Sequence, residues 1–477
     1  MTSHLQPARR VAVVGGGIAG LAAAAALRRA SPEVEVVVLE SAPTIGGKLA
    51  RAEVGGVTVD VGAEAMLHRR PEAVGLARAS GLGDRLVHPA TTSAGLWSRG
   101  QLRPMPRTLM GVPTDNRLLA ESGVISKPGL ARAALDTVLP PTRLDDRDVS
   151  VGWLVEERFG KEVVDRLVEP LLGGVYAGHA REISARAAVP QVVALLDRDR
   201  SMMRAAAAAT SQSPGTPVFA GLVGGIGQLP EAVAVAHGLD VRRGSTVREL
   251  THAGDGGFHL VVGPTADADL LHADAVVLAT PARATARLLS DIAPDAALEL
   301  TRIDYASMAI VTMAFRAREL PTTTGSGFLV PPVDKRGIKA ATYSFAKWDW
   351  VRDAGRDAGT ERGDLLVMRC SLGRHREEET LQRSDDELVQ LALDDLSDAI
   401  GLSVRPVDSH VQRWGGALPQ YAVGHLELVR RVRSSVASVR GLAVCGAAYD
   451  GLGIPACIAS AELAATQVRE ALSHQGG

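Results

Sequence analysis

The sequence predicts an α/β fold with a parallel sheet at its centre and further strand-rich and helix-rich parts, α+β in character, built onto it. Three observations predict it. Residues 11–40 read as strand, glycine turn, helix and strand: VAVV, GGGIAG, LAAAAALRRA and VEVVVLE. A strand that returns through a helix to the next strand makes a parallel pair. Residues 441–472, GLAVCGAAYDGLGIPACIASAELAATQVREAL, repeat the order strand, glycine-rich turn, helix at the other end of the chain. Between them ADAVVLAT (273–280) is an apolar, β-branched run that stops at Pro281, as a strand returning to the same sheet would.

The elements follow in order. VAVV is too short and too apolar for anything but a buried strand. The alanine-rich run 21–30 is a strong helix former, and SPE breaks it before the second strand. VGGVTVDVGAE (54–64) is a glycine-turned hairpin segment. Residues 106–213 change character. Pro and Gly punctuate segments such as GLARAALDTVL and SVGWLVEERFGKEVVDRLVEPLLGG, whose apolar residues recur at helical spacing, so this region is predicted mostly helical. Strand signals return at 218–280 (VFAGLVGG, LDVRRGSTVREL, FHLVVG). Residues 305–420 mix strands (ASMAIVTMAF, DLLVMRCSL) with one helix, SDDELVQLALDDLSDAIG.

Composition narrows the function. The 477 residues suffice for two to four domains and a large core. Lys+Arg is 52 and Asp+Glu is 54, a net charge of −2, so nucleic-acid binding is not expected. The three cysteines, Cys370, Cys445 and Cys457, form no CxxC or Cys/His cluster, so neither a disulfide framework nor a metal site is expected. A reducing cytosol is the expected compartment. MTSHLQPARR ahead of VAVV is too short in its apolar part for a secretion signal. The chain has no run of 18 apolar residues, which leaves contact with a membrane surface as the most that is expected.

Gly15, Gly17 and Gly20 fit G-x-G-x-x-G between a strand and a helix. The first glycine permits the tight turn, the second the approach of a pyrophosphate, and the third close packing of helix on strand. Ile18 and Ala19 open the helix, whose N–H groups offer positive charge to phosphate. Glu40, followed by Ser41, ends the second strand, where a carboxylate can accept both hydroxyls of an adenosine ribose. Gly46, Gly47 and Lys48 come next, then Gly62, Ala63 and Glu64. A GG-K after the ribose carboxylate separates FAD from NAD binders, with the lysine countering phosphate charge. The C-terminal turn adds Gly446, Tyr449, Asp450, Gly453 and Ile454, and Val247 completes the expected cofactor set. Cys445 is expected in the core rather than as a covalent flavin link, so the FAD is expected to be non-covalent. His179 and His425 are expected to be structural or exposed.

The patterns GGGIAGLAAA, VVLE and GGKL, with PLLGGVYAG (170–178), GGIGQLP (224–230), WGGALPQYAVGH (414–425) and CGAAYDGLGIPACI (445–458), resemble the protoporphyrinogen/coproporphyrinogen oxidases of haem synthesis, within the flavin amine oxidase superfamily. The resemblance runs nearly end to end. It implies a Rossmann-like FAD domain of the p-hydroxybenzoate-hydroxylase type in three pieces (9–84, 214–290, 436–477). It also implies a substrate domain in two (85–105, 291–435) and a helical domain (106–213) that can contact a membrane. It implies a porphyrinogen substrate oxidised with oxygen as acceptor, ferrochelatase as the recipient of product, and a cytoplasmic protein peripheral to the inner face of the membrane. The Ala/Arg/Gly-rich usage resembles that of high-GC Gram-positive bacteria, in which similar actinobacterial-type enzymes act on coproporphyrinogen III. A tetrapyrrole needs an apolar slot and cations for its carboxylates. Arg69 and Arg70 are expected to bind those carboxylates, and Tyr176 to line the slot. No catalytic base is expected, because the flavin carries the chemistry and aromatisation drives it. Protoporphyrinogen IX oxidation, an amine oxidase, a carotenoid-type desaturase and a non-catalytic flavoprotein that delivers a tetrapyrrole are the alternatives. The absence of a C-terminal aromatic cage counts against an amine oxidase: Tyr449 stands alone, with Trp414 and Tyr421 expected elsewhere.

Overall fold

The computed structural model describes residues 9–211, 217–254, 256–358 and 363–473. Residues 1–8, and with them most of MTSHLQPARR, lie outside the described residues, as do 212–216 and 474–477 at the edges of the expected segments.

A five-stranded parallel sheet forms the centre, in the order Asp240–Arg242, Glu35–Leu39, Arg10–Val14, Ala275–Leu278, Leu442–Val444. Arg10–Val14 is the middle strand, so Val11 faces both Val36 and Ala275 across the ladder. Its strands are short apolar runs because both faces are covered. One face packs on the helices Ile18–Ala30 and Ile454–Ser473, the first and last of the chain. The first is poor in large side chains, and its alanines let the last helix lie close. Gly20 cannot be replaced here, since a Cβ would lie 1.8 Å from the Gly15 carbonyl oxygen. The opposite face is covered by the antiparallel strands Val247–His252, Phe258–Val262 and Asp269–Ala273 with the helices Ala282–Leu289, Pro294–Thr301 and His425–Ala437.

A second, seven-stranded sheet runs Asp408–Pro419, Tyr305–Arg316, Leu365–Leu372, Ile338–Thr342, Gly327–Leu329, Gly95–Ser98, Gln101–Pro104. The helix Asp385–Ile400 packs against it, held at its start by reciprocal bonds between Ser384 and Glu387 and ended by Gly401 at φ +71°. A second substantial helix, Asp349–Ala358, was not foreseen in this region. Its polar, glycine-containing sequence conceals it. Gly355 is what lets it dock, because a Cβ there would come 2.1 Å from the Leu365 carbonyl oxygen.

Of the stretch 106–213 predicted mostly helical, residues 116–211 are mainly helical, whereas Thr108–Leu109 and Val112–Pro113 form a short antiparallel pair ahead of them. Their core is stitched by one buried ion pair: Arg158 reaches Asp136 at 2.7 Å and also donates to the carbonyls of Pro140, Asp136 and Arg200. Every hydrogen bond made there offsets desolvation that a lone buried charge would not recover. No helix among the described residues is long and apolar enough to cross a membrane.

Candidate active site

A cavity of about 740 Å³ runs between the parallel sheet and the seven-stranded sheet. Its walls are drawn from both, with one helix of the helical region at its far end.

At the sheet's C-terminal edge the chain turns at Gly15 (φ +110°) into the first helix. Gly15, Gly17, Ile18 and Ala19 line the cavity, and a Cβ on Gly17 would meet nothing within 4 Å. The space is cavity, as the approach of a phosphate requires. Gly20 lies behind the wall in the packing role its position predicts. Glu40 is fixed by its neighbours: Oε2 accepts from Gly16 N at 2.6 Å, and Oε1 from Ala42 N at 2.8 Å and from Ser41 Oγ at 3.2 Å. Oε2 keeps a lone pair for a further donor, and Oε1 gains one when the Ser41 hydroxyl turns away, so the carboxylate is oriented before any ribose arrives. Ser41, Gly46, Gly47, Lys48 and Val247 join it in the wall. Gly46 N donates to Gly16 O at 2.8 Å, tying the GG-K turn to the first glycine turn. Burial pulls the Lys48 ammonium below its ordinary pKa.

The C-terminal turn reaches the same space through Gly446, Ile454, and the neighbouring Leu452 and Cys457. The first turn of the last helix therefore opens on the cavity. Three residues expected here stand outside the wall. Tyr449 is 1% exposed and packs in the core behind it. Asp450 points away and forms an ion pair with Arg433, one contact at 2.9 Å. Gly453 accepts from Cys457 N and so closes the first helical turn, with Leu452 and Ile454 on either side presenting the surface. Cys445 is fully buried and outside the wall, whereas Cys457, not singled out from the sequence, lines it.

Gly62, Ala63 and Glu64 are in the wall, but the Glu64 carboxylate is already engaged by Lys347 and by Arg369 at 3.2 Å. Burial alone would push its pKa up. The cations Lys347 and Arg369, with hydrogen bonds from Lys347 and Ser344, hold it down to about 2. Arg369 also donates to the carbonyls of Asp60 at 3.0 Å and Gly62 at 2.9 Å, while Trp414 Nε1 donates to Val61 O at 3.1 Å. The seven-stranded sheet thus grips three successive residues of the glycine segment. Glu64 is a clasp between two parts of the wall.

The far end is apolar: Val175 and Gly174 from the helix Glu169–Tyr176 face Met308, Ile310, Leu329, Ala340 and Leu418. Trp414 and Tyr305 complete it: Trp414, expected elsewhere, stands in the wall, as does Tyr305, which the sequence did not single out. Tyr305 Oη accepts from Ala282 N at 2.7 Å.

The expected substrate residues lie elsewhere. Arg69 is exposed and away from the cavity wall. Arg70 caps the helix Pro71–Ala79 and pairs with Glu72 two residues on. Tyr176 is 6% exposed. It packs edge-on against Tyr421 with its hydroxyl 3.3 Å from Ala188 O, and burial pushes its pKa up to about 12. Helical periodicity turns Tyr176 into the core and its neighbour Val175 into the cavity. His425 stacks on Tyr421 at 4.0 Å, and burial lowers its pKa to about 4. It acts as a structural side chain.

Arg369, Trp414 and Tyr305 were missed. A signal for Arg369 exists: it is the one charge inside LLVMRCSL, and Ser371, two residues on and therefore on the same face, also lines the cavity.

A family model described as flavin containing amine oxidoreductase matches residues 18–469. The chain is 37% identical over 482 aligned residues to the coproporphyrinogen III oxidase of Mycobacterium tuberculosis, covering 98% of this chain and 99% of that protein. It is 30% identical to the coproporphyrinogen III oxidase of Bacillus subtilis, covering 94% and 96%. A solved structure from Exiguobacterium sp. 255-15 superposes with a TM-score of 0.85 at 30% identity, covering 98% of this chain and all of that one.

Proposed function

The chain belongs to the flavin containing amine oxidoreductase family, and on that premise we propose that it oxidises coproporphyrinogen III to coproporphyrin III, with FAD as cofactor and oxygen as acceptor. The observation that carries the substrate is near-full-length identity of 37% to a protein of that activity. The cavity supports it by its shape. A polar, glycine-lined end suits a dinucleotide, and an apolar end beyond it suits a macrocycle.

The residues fit the cofactor on structural grounds. Gly17 leaves open space at the turn, Glu40 presents two oriented oxygens, and Lys48 lies beside Gly46 and Gly47 in the wall. When bound, the flavin supplies the hydride-accepting centre and its reoxidation by oxygen. The chain's own residues bind and orient. Glu40 would take the ribose hydroxyls, while Lys48 and the first turns of two helices would face the pyrophosphate. Arg369 and Trp414 hold the backbone of 60–64 against the seven-stranded sheet. Val175, Leu329 and Ile310 would exclude water from the macrocycle and hold it by apolar contact. We assign no proton acceptor, in keeping with a reaction driven by aromatisation.

Residues 9–84, 214–290 and 436–477 are proposed as the FAD domain, 85–105 and 291–435 as the substrate domain, and 106–213 as the helical domain. A cytoplasmic site, with peripheral contact at the inner face of the membrane through the helical domain and release of product to ferrochelatase, belongs to the same proposal. Leu118, Leu135, Val138 and Trp153 expose apolar surface in that domain. Purified holoenzyme is to be assayed by porphyrin fluorescence with coproporphyrinogen III and protoporphyrinogen IX at one oxygen tension. A higher kcat/KM for coproporphyrinogen III is expected, as the relatives of that activity imply. A ratio favouring protoporphyrinogen overturns the substrate, and a stoichiometric rather than catalytic yield overturns the enzyme.

A further inference from the structure

Among the charged side chains of the cavity wall, Glu40, Glu64 and Arg369 have hydrogen-bonding partners. Lys48 stands in the GG-K turn beside the phosphate-facing glycines. Arg287 is different: its guanidinium makes no hydrogen bond or ion pair with any described residue, and nothing in the sequence marks it. It is exposed, yet it lines the cavity.

Its place can be fixed. Ser245 N donates to Glu40 O at 2.7 Å, so the turn into the strand Val247–His252 starts against the ribose carboxylate. Val247 and Leu288 pack in one buried cluster, and both reach the cavity. Ala284, Arg287 and Leu288 share the face of the helix Ala282–Leu289 that fronts the same space. Arg287 therefore stands at the adenosine end of the wall. The glycine turns that suit a pyrophosphate lie on the other side of Glu40.

We propose that Arg287 holds the adenine of the dinucleotide, its planar guanidinium lying over one face of the base with Val247 and Leu288 supplying apolar contact. A guanidinium is weakly hydrated and stacks on aromatic faces more readily than an ammonium. A cation with no acidic neighbour keeps that face free. The small Ala284 beside it leaves room for a ring. This inference rests on the dinucleotide reading of the cavity and is independent of the tetrapyrrole.

The test compares Arg287→Leu with the parent, as full-length protein stripped of flavin, titrated with FAD and with FMN by flavin fluorescence and with ADP by calorimetry. Expected is a loss of about 5- to 10-fold in affinity for FAD, the same factor for ADP, and unchanged FMN binding. FMN, which lacks adenine, also reports that the variant is folded. Unchanged affinity for FAD or ADP, or an equal loss with FMN, overturns the proposal. The last result would make Arg287 a partner of phosphate or flavin.

Discussion

Replacing Glu64 by Gln removes one negative charge from between Lys347 and Arg369 while keeping the side chain's shape. The carboxyl is held at about 2 against an ordinary 4.5. At 1.36 kcal/mol for each pKa unit this amounts to about 3 kcal/mol of folding free energy. The side chain is 13% exposed, so water screens little of it. A like figure follows from the general cost of breaking a buried pair, roughly 3–5 kcal/mol, because two cations are left facing each other. The sign with pH is fixed by the direction of the shift. A carboxyl depressed on folding contributes in full above pH 4.5, and the contribution is lost as pH falls from 4.5 towards 2. Urea unfolding of parent and Glu64→Gln, followed by tryptophan fluorescence, should differ by about 3 kcal/mol at pH 7. The gap should narrow steadily below pH 4.5. Equal stabilities at pH 7, or a gap that does not shrink on acidification, would refute the clasp.

Glu40→Ala should weaken FAD by about 1.5–3 kcal/mol, the value of hydrogen bonds to a charged acceptor, as read by flavin fluorescence quenching. An unaltered dissociation constant removes Glu40 from the ribose site. Gly174→Leu should fill the apolar end, since a Cβ at Gly174 already lies 3.7 Å from Leu329 Cδ2. The KM for porphyrinogen should rise severalfold with flavin content unchanged, and unchanged kinetics would place the macrocycle elsewhere.

The cofactor end of the cavity was legible because its requirements are backbone requirements. Gly15, Gly17 and Gly20 with Glu40 can be read from order and spacing alone, since a turn, a close approach and a packed helix each exclude side chains. The substrate end was not legible. Its wall takes scattered residues from four strands and one helix, and each owes its place to strand alternation or helical phase. Tyr176 and Val175 show the margin: adjacent residues, one turned to the core and one to the cavity. Arg69 and Arg70 stand outside the cavity wall for a related reason. A pair of arginines after the glycine segment carries the right chemistry, but Arg70 is used as a helix-start partner of Glu72. Of the residues named at the C-terminal turn, Gly446 and Ile454 stand in the cavity wall, whereas Tyr449 packs in the core and Asp450 pairs with Arg433.

The parallel sheet has Leu442–Val444 as its edge strand, and the helix that follows it covers the first helix. During synthesis, therefore, Arg10–Val14 is made long before Leu442–Val444 and the helix that completes its neighbourhood. Contacts of such long sequence separation form slowly, and an unfinished sheet exposes apolar edges that invite aggregation. The cavity itself is unfinished until then, because Gly446 and Ile454 belong to its wall. Removal of the last thirty residues would then be felt first as insoluble protein and only second as lost colour.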